Sequence, residues 1–329
     1  MRSVLLLIAL TANLMVSGLT MAREDHSVLF FAGQSREEFA DYLESVCEQG
    51  AACPRPVGAA FYTSLHGNGF TRPHANAPGD NHQDFWYLQS VYKPLMVQVA
   101  LWMAPEELAK VNQGEFDAQI EQLVDRLAQS GQRIFLRIGY EFDGPHNRYQ
   151  PSEFVAAYRK IAKQARRASN IELVWHSFAM LPTYQERDVM EWYPGDRFVD
   201  WLAISYFQVS DDGYHAGPNR QRIIEIAKAK QKPVMIAEAS AIRYTVTQKA
   251  TQGKSYWDYW YQTFFDLIES TPEIKAVSMI NVNWDSQAQH RVLEWGDARI
   301  ASDHYILGQW REKMHAPYWV MYEERRDPH

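Results

Sequence analysis

Two glutamates, Glu141 and Glu238, each follow a short apolar run: Gln132-Arg-Ile-Phe-Leu-Arg-Ile-Gly-Tyr-Glu141 and Lys232-Pro-Val-Met-Ile-Ala-Glu238. Two carboxyl groups brought to one pocket can split a glycosidic bond. One protonates the departing oxygen while the other attacks the anomeric carbon, provided the two lie about 5 to 5.5 Å apart. The nucleophile must stay ionised and the acid must keep its proton until it donates, so the pair needs unequal surroundings. Arg137 is four residues before Glu141, on the same side of an extended strand. It is placed to hold an ionised Glu238 by charge and hydrogen bonding, and Tyr206, ending a later run, is a second candidate for that task.

Aromatic residues end other apolar runs: Tyr62, Trp102, Trp175, Tyr206 and Trp284. The C–H faces of sugar rings pack on such side chains, whose polar tips still reach hydroxyls. His176 could donate to the same ligand or simply cap the mouth. Trp102 and Trp175 equally suit plain core, because alternate side chains of barrel strands face outward. Trp257, Tyr259, Trp260, Phe264 and Phe265 recur at helical spacing and read as core. Glu141, Asp143 and His146 could ligate a metal, but lack a diagnostic ligand spacing; neither metal nor cofactor is expected. No P-loop, Gly-x-Ser-x-Gly elbow or His-Glu-x-x-His helix is present, so phosphoryl transfer, serine esterase and zincin chemistry lack support.

Positioning both glutamates at one mouth requires a particular frame. Eight β-type runs are read at 27–32, 57–64, 95–103, 133–142, 171–177, 199–207, 233–239 and 276–284, with helical patterns between them. Ser35-x-x-Glu38 and Thr183-x-x-Glu186 read as capping boxes. The 116–130 stretch carries Ile120, Leu123, Val124 and Leu127 on one helical face and stops at Gly131. Strict alternation with continuously apolar strands predicts a parallel sheet buried on both faces, closed as a single (β/α)8 barrel over 23–316. In such a barrel the strand ends converge on one face, which brings Glu141 and Glu238 together. The 66–84 loop is expected to overhang that face, and 317–329 to form an inconsequential tail.

Residues 1–22, with Arg2, an apolar stretch and small residues before the cut, have the layout of a secretory signal peptide. Their removal leaves 307 residues, and no cysteine follows the cut to carry a lipid anchor. An exported chain meets an oxidising compartment, so Cys47 and Cys53 are expected to form a disulfide. Net charge is −7 over 329 residues, which disfavours nucleic acid and suits a neutral or cationic ligand. A monomer without membrane contact after cleavage is expected.

The chain resembles glycoside hydrolase family 26. The resemblance runs through Phe31-Ala-Gly-Gln34, Phe61-Tyr-Thr-Ser64, Arg137-Ile-Gly-Tyr-Glu141-Phe-Asp-Gly144, Leu173-Val-Trp-His176, Tyr193-Pro-Gly-Asp196, Lys232-Pro-Val-Met-Ile-Ala-Glu238, Ile280-Asn-Val-Asn-Trp284 and Trp295-Gly-Asp-Ala-Arg299. It implies a retaining barrel enzyme with Glu141 as acid/base, Glu238 as nucleophile, and Trp284 and Tyr206 lining the cleavage subsite. Family members commonly have histidine before the acid/base and asparagine two after it, where this chain has Tyr140 and Asp143. The implied activity is an exported endo-glycosidase on a β-linked polysaccharide, first β-1,4-mannan, then β-glucan or β-xylan. A hydrolase trimming a polymer of its own cell and a non-catalytic carbohydrate-binding barrel are the alternatives.

Overall fold

The computed structural model describes residues 26–47, 55–67, 69–70, 84–92, 96–180, 188–207, 216–243 and 253–322. The signal-peptide segment, Cys53, Thr183, Glu186 and most of the 66–84 loop lie outside them. Eight parallel strands close into a barrel: β1 (Val28–Ala32), β2 (Gly58–Ser64), β3 (Met96–Trp102), β4 (Arg133–Ile138), β5 (Ile171–Ser177), β6 (Trp201–Tyr206), β7 (Val234–Ala239) and β8 (Ile274–Met279). Each strand pairs with the next, and β1 pairs with both β8 and β2. This is the (β/α)8 fold expected from the alternation.

The strands are buried on both faces, which is why they read as unbroken apolar runs rather than alternating ones. Phe31, Phe135, Val174, Trp201, Ala203, Met235 and Ala237 pack together inside the barrel. Their neighbours Val97, Leu136, Leu173, Ile204 and Ile236 face the helices. The Asp117–Gln129 helix buries Ile120, Leu123, Val124 and Leu127, the stripe its periodicity predicts. Trp257, Trp260, Phe264 and Phe265 are core as read, whereas Tyr259 is exposed.

Strand β7 breaks its own alternation. Ile204 of β6 stands opposite Ile236, but Ser205 stands opposite Glu238, so Ala237 is an extra residue in β7. Val234 and Ile236 face outward, and continued alternation would send Glu238 outward with them. The bulge returns Glu238 to the interior, and Ala239 resumes the outward side.

Several boundaries differ from the sequence reading. Strand β4 ends at Ile138 rather than 142, because Gly139 takes φ +58°, where a Cβ would come within 2.9 Å of the Phe154 ring. Strand β8 spans Ile274–Met279, and Trp284 sits beyond it on a 3-10 turn whose Asn283 side chain accepts from the Asp285 N–H. The expected tail is partly structural: β9 (Trp319–Val320) pairs with β1, and Trp319 packs edge-on against Phe30 at 5.6 Å. Ser35 precedes the Arg36–Asp41 helix but makes no capping bond there, its hydroxyl donating to Glu37 instead. Cys47 is disulfide-bonded. No helix among the described residues is long and apolar enough to cross a membrane.

Candidate active site

The inward positions at the C-terminal strand ends are Tyr62 on β2, Arg137 on β4, His176 on β5, Ser205 on β6 and Glu238 on β7. Glu238 Oε1 accepts from Tyr62 Oη at 2.7 Å and from Arg137 Nη1 at 2.6 Å. Arg137 has no exposed surface. Its guanidinium also lies over the Tyr62 and Tyr140 rings, with centroids 5.1 and 5.5 Å away. Burial, then the nearby charge of Glu141, push the Glu238 carboxyl above its ordinary range, while Arg137 and Tyr62 pull it back. Burial and the Glu238 charge drive the Tyr62 phenol up, so it stays a hydrogen donor.

Glu141 lies three residues past β4, on a tight turn with φ +50°, a conformation L side chains rarely adopt. Asn147, itself buried, holds the turn by donating from Nδ2 to the carbonyls of Tyr140 and Glu141 at 2.8 and 2.9 Å. Glu141 Oε1 accepts from Ser205 Oγ at 2.5 Å, and Oε2 lies 3.0 Å from His146 Nε2. Gly144 lets His146 fold back, since a Cβ there would sit 2.4 Å from the imidazole. Glu141 therefore touches the residue directly opposite Glu238 in the sheet, so the two carboxyls share one pocket. Strands are about 4.8 Å apart.

Both glutamates open into a cleft of about 330 Å³, within the range of small-ligand sites. Tyr62, Tyr140, Phe178, Phe207, Trp284 and Trp295 form its aromatic walls. Trp284 is held by its indole N–H on Ser240 Oγ at 2.9 Å. His290 also lines the cleft, wedged between Trp284 and Trp295 with centroids 4.5 and 4.6 Å away. Burial brings its imidazole down to about 4, so it is neutral near pH 7.

The structure thus brings Glu141, Glu238, Arg137, Tyr62 and Trp284 together as expected and moves three others. Tyr206 does not approach Glu238. Its side chain faces the helices, exchanging a hydrogen bond with Thr263 at 3.1 Å, and Tyr62 takes the role assigned to it. Trp175 also points outward, stacks on Phe142 at 4.6 Å and donates to the Trp192 carbonyl. It is core rather than a sugar platform. His176 points inward but is fully buried beneath the carboxylates, between Arg137 and Ser205, out of ligand reach. Trp102 is partly exposed at the end of β3.

Ser205, Asn147 and Ser240 were missed by sequence reasoning. Their types carry no signal, and only the inward parity of β6 could have singled out Ser205. Among the described residues no group of histidine, cysteine and carboxylate side chains could hold a metal ion. Glu141, Asp143 and His146 diverge in role instead.

Asp143 faces away from the cleft chemistry and clamps the next loop. Its oxygens accept from Ser177 Oγ and the Phe178 N–H, both at 2.6 Å. Burial lifts its carboxyl to about 6 despite those bonds. A carboxyl that folding makes less acidic stabilises the fold most below its unfolded value, about 4. That contribution is lost as pH rises through about 6. In Asp143→Asn the fall, up to about 3 kcal/mol, should vanish. Urea midpoints measured from about pH 4 to 7 check this, and parallel curves for both proteins would contradict it.

No family model matches the chain. It is 27% identical over 320 residues to a β-1,3-xylanase of Alcaligenes sp., covering 90% of this chain and 65% of that protein. With the β-1,3-xylanase TXYA of Vibrio sp. it shares 26% over 324 residues, covering 91% and 67%. The chain spans about two thirds of the length of these curated relatives. Its fold is similar to that of a modular endo-β-1,4-mannanase from Cellulomonas fimi, a glycoside hydrolase family 26 mannanase. The TM-score is 0.60 at 16% identity, over 90% of this chain and 72% of that one. The chain is a (β/α)8 barrel with a pair of carboxylates in one cleft. Its fold is the one seen in family 26 β-mannanases, and its relatives in sequence carry the name of β-1,3-xylanases.

Proposed function

We propose that this chain is a secreted or periplasmic retaining endo-glycosidase that cleaves a β-linked polysaccharide by double displacement. Glu141 is the acid/base and Glu238 the nucleophile. One observation carries the assignment: of two carboxyls sharing a cleft, only Glu238 is clasped by a guanidinium and a phenol. These donors favour its charged form, and a proton on Glu141 removes the repulsion that opposes it. Glu141, bonded to a neutral hydroxyl and a histidine, can therefore carry the proton that the leaving oxygen needs. Attack by Glu238 gives a glycosyl ester, and water activated by Glu141 then hydrolyses it.

β-1,3-Xylan is the first substrate on this reading, because the relatives in sequence are named for it. β-1,4-Mannan, favoured by the family resemblance, comes second through the fold neighbour. Tyr140 bears on this choice, since it lines the cleft edge-on to Tyr62 at 5.4 Å, whereas Asp143 does not line that cleft. Export is supported by the N-terminal pattern and the disulfide at Cys47.

Release of reducing ends should be measured on β-1,3-xylan, β-1,4-mannan, mixed-linkage glucan and alginate. Proton NMR of the first product should show the β-anomer. An initial α-anomer would exclude double displacement, and binding without new reducing ends would leave a carbohydrate-binding barrel.

A further inference from the structure

We infer that Ser205 and His176 are positioning residues whose directed hydrogen-bond chain from Arg137 confines Glu141 Oε1 to accepting, which places the transferable proton on Oε2. The mechanistic meaning of this rests on the hydrolase reading above; the chain itself does not. Arg137 can only donate, so its Nη1 contact with His176 at 3.3 Å makes Nδ1 the acceptor. Burial and the Arg137 charge keep this imidazole neutral. A neutral ring with a bare Nδ1 carries its hydrogen on Nε2, which lies 3.0 Å from Ser205 Oγ. Ser205 then directs its own hydrogen to Glu141 Oε1.

Every hydrogen in the chain thus points from the guanidinium toward the acid/base. The same Nη1 also donates to Glu238, so one nitrogen serves both carboxyls, directly on one side and through two side chains on the other. Arg137, His176 and Ser205 have no exposed surface, so water does not compete for these bonds.

The remaining oxygen, Oε2, faces His146, whose side chain is 46% exposed at the cleft. A proton passing from the imidazolium Nε2 to Oε2 leaves a neutral imidazole and a neutral carboxyl. Donation of that proton to the glycosidic oxygen returns Oε2 to the carboxylate. In the second half-reaction Oε2 takes a proton from the attacking water as its oxygen bonds the anomeric carbon and the ester bond to Glu238 breaks. The ionisable groups around Glu141 and its cleft are Tyr62 from β2, Arg137, Tyr140, Asp143 and His146 from β4 and its loop, His176 from β5, Glu238 from β7, and His290 from beyond β8.

With ¹⁵N-labelled histidine, NMR should find His176 protonated on Nε2 and bare on Nδ1 at every pH where the protein is folded. The opposite tautomer, or an imidazolium there, overturns the chain whatever the activity. Ser205→Ala should lower kcat on polysaccharide about 10- to 100-fold with little change in KM. It should also move the alkaline limb of the kcat profile up by about one pH unit, because the Glu141 carboxylate loses a donor. His176→Gln can accept from Arg137 and donate to Ser205, so its limb should lie nearer the wild type than that of His176→Ala. An unmoved limb in Ser205→Ala, or identical limbs in both His176 variants, defeats the inference. Activity that survives Glu238→Ala would strike the hydrolase reading instead, leaving the tautomer to decide the chain.

Discussion

Glu238→Ala should lose turnover on the natural polysaccharide by a factor on the order of 10⁴ or more, because no other described carboxylate in the cleft can replace it as nucleophile. Glu141→Ala should behave differently. On polysaccharide it should lose about 10² to 10⁴, the usual worth of general acid–base help. On an aryl glycoside with a good leaving group its first step should remain fast, because that oxygen needs no proton. Azide separates the two roles further. Added to Glu141→Ala it should trap the glycosyl-enzyme as the β-azide, and added to Glu238→Ala it should give the α-azide by direct displacement. Reversed anomers would exchange the two roles, and full activity in either variant would end the assignment.

The second large effect is expected at Arg137. Arg137→Met removes the charge that Glu238 meets at 2.6 Å and leaves a buried carboxyl beside the second glutamate. Turnover should fall about 10²- to 10³-fold, as when a preorganised charge-stabilising donor is removed. The acidic limb of the rate profile should move to higher pH, because Glu238 then holds its proton longer. Folding stability should drop by about 3 to 5 kcal/mol at neutral pH, the cost of breaking a buried pair. For a carboxyl whose folded acidity has weakened, this cost is least below about pH 4 and grows as pH rises. Urea unfolding at about pH 5 and pH 8 reads the trend. Equal losses at both pH values would show that the ion pair is not the cause.

The alternation of apolar runs with helical patterns was enough to read the barrel, and the two glutamates followed from their place after β4 and β7. What failed was side-chain direction. Strands buried on both faces show no polar alternation, so Trp175 and Tyr206 looked as eligible as His176 and Ser205. Arg137 marks the inward side of β4, but nothing in the sequence carries that parity across to β5 or β6. Glu238 reaches the cleft although plain alternation would send it outward, and the bulge at Ala237 that turns it inward leaves no trace in residue type. Trp319 was set aside with the tail because two paired residues are too few to show a pattern.

The aim of Glu238 is set by a one-residue offset within the closed sheet and not by a surface loop. Its carbonyl and amide neighbours are those of the barrel wall, so on the proposed mechanism the attacking oxygen is oriented when the chain folds and little ordering entropy remains to be met during each turnover. Changes in the loops above the cleft can therefore retune which polymer is gripped while the geometry of attack stays constant.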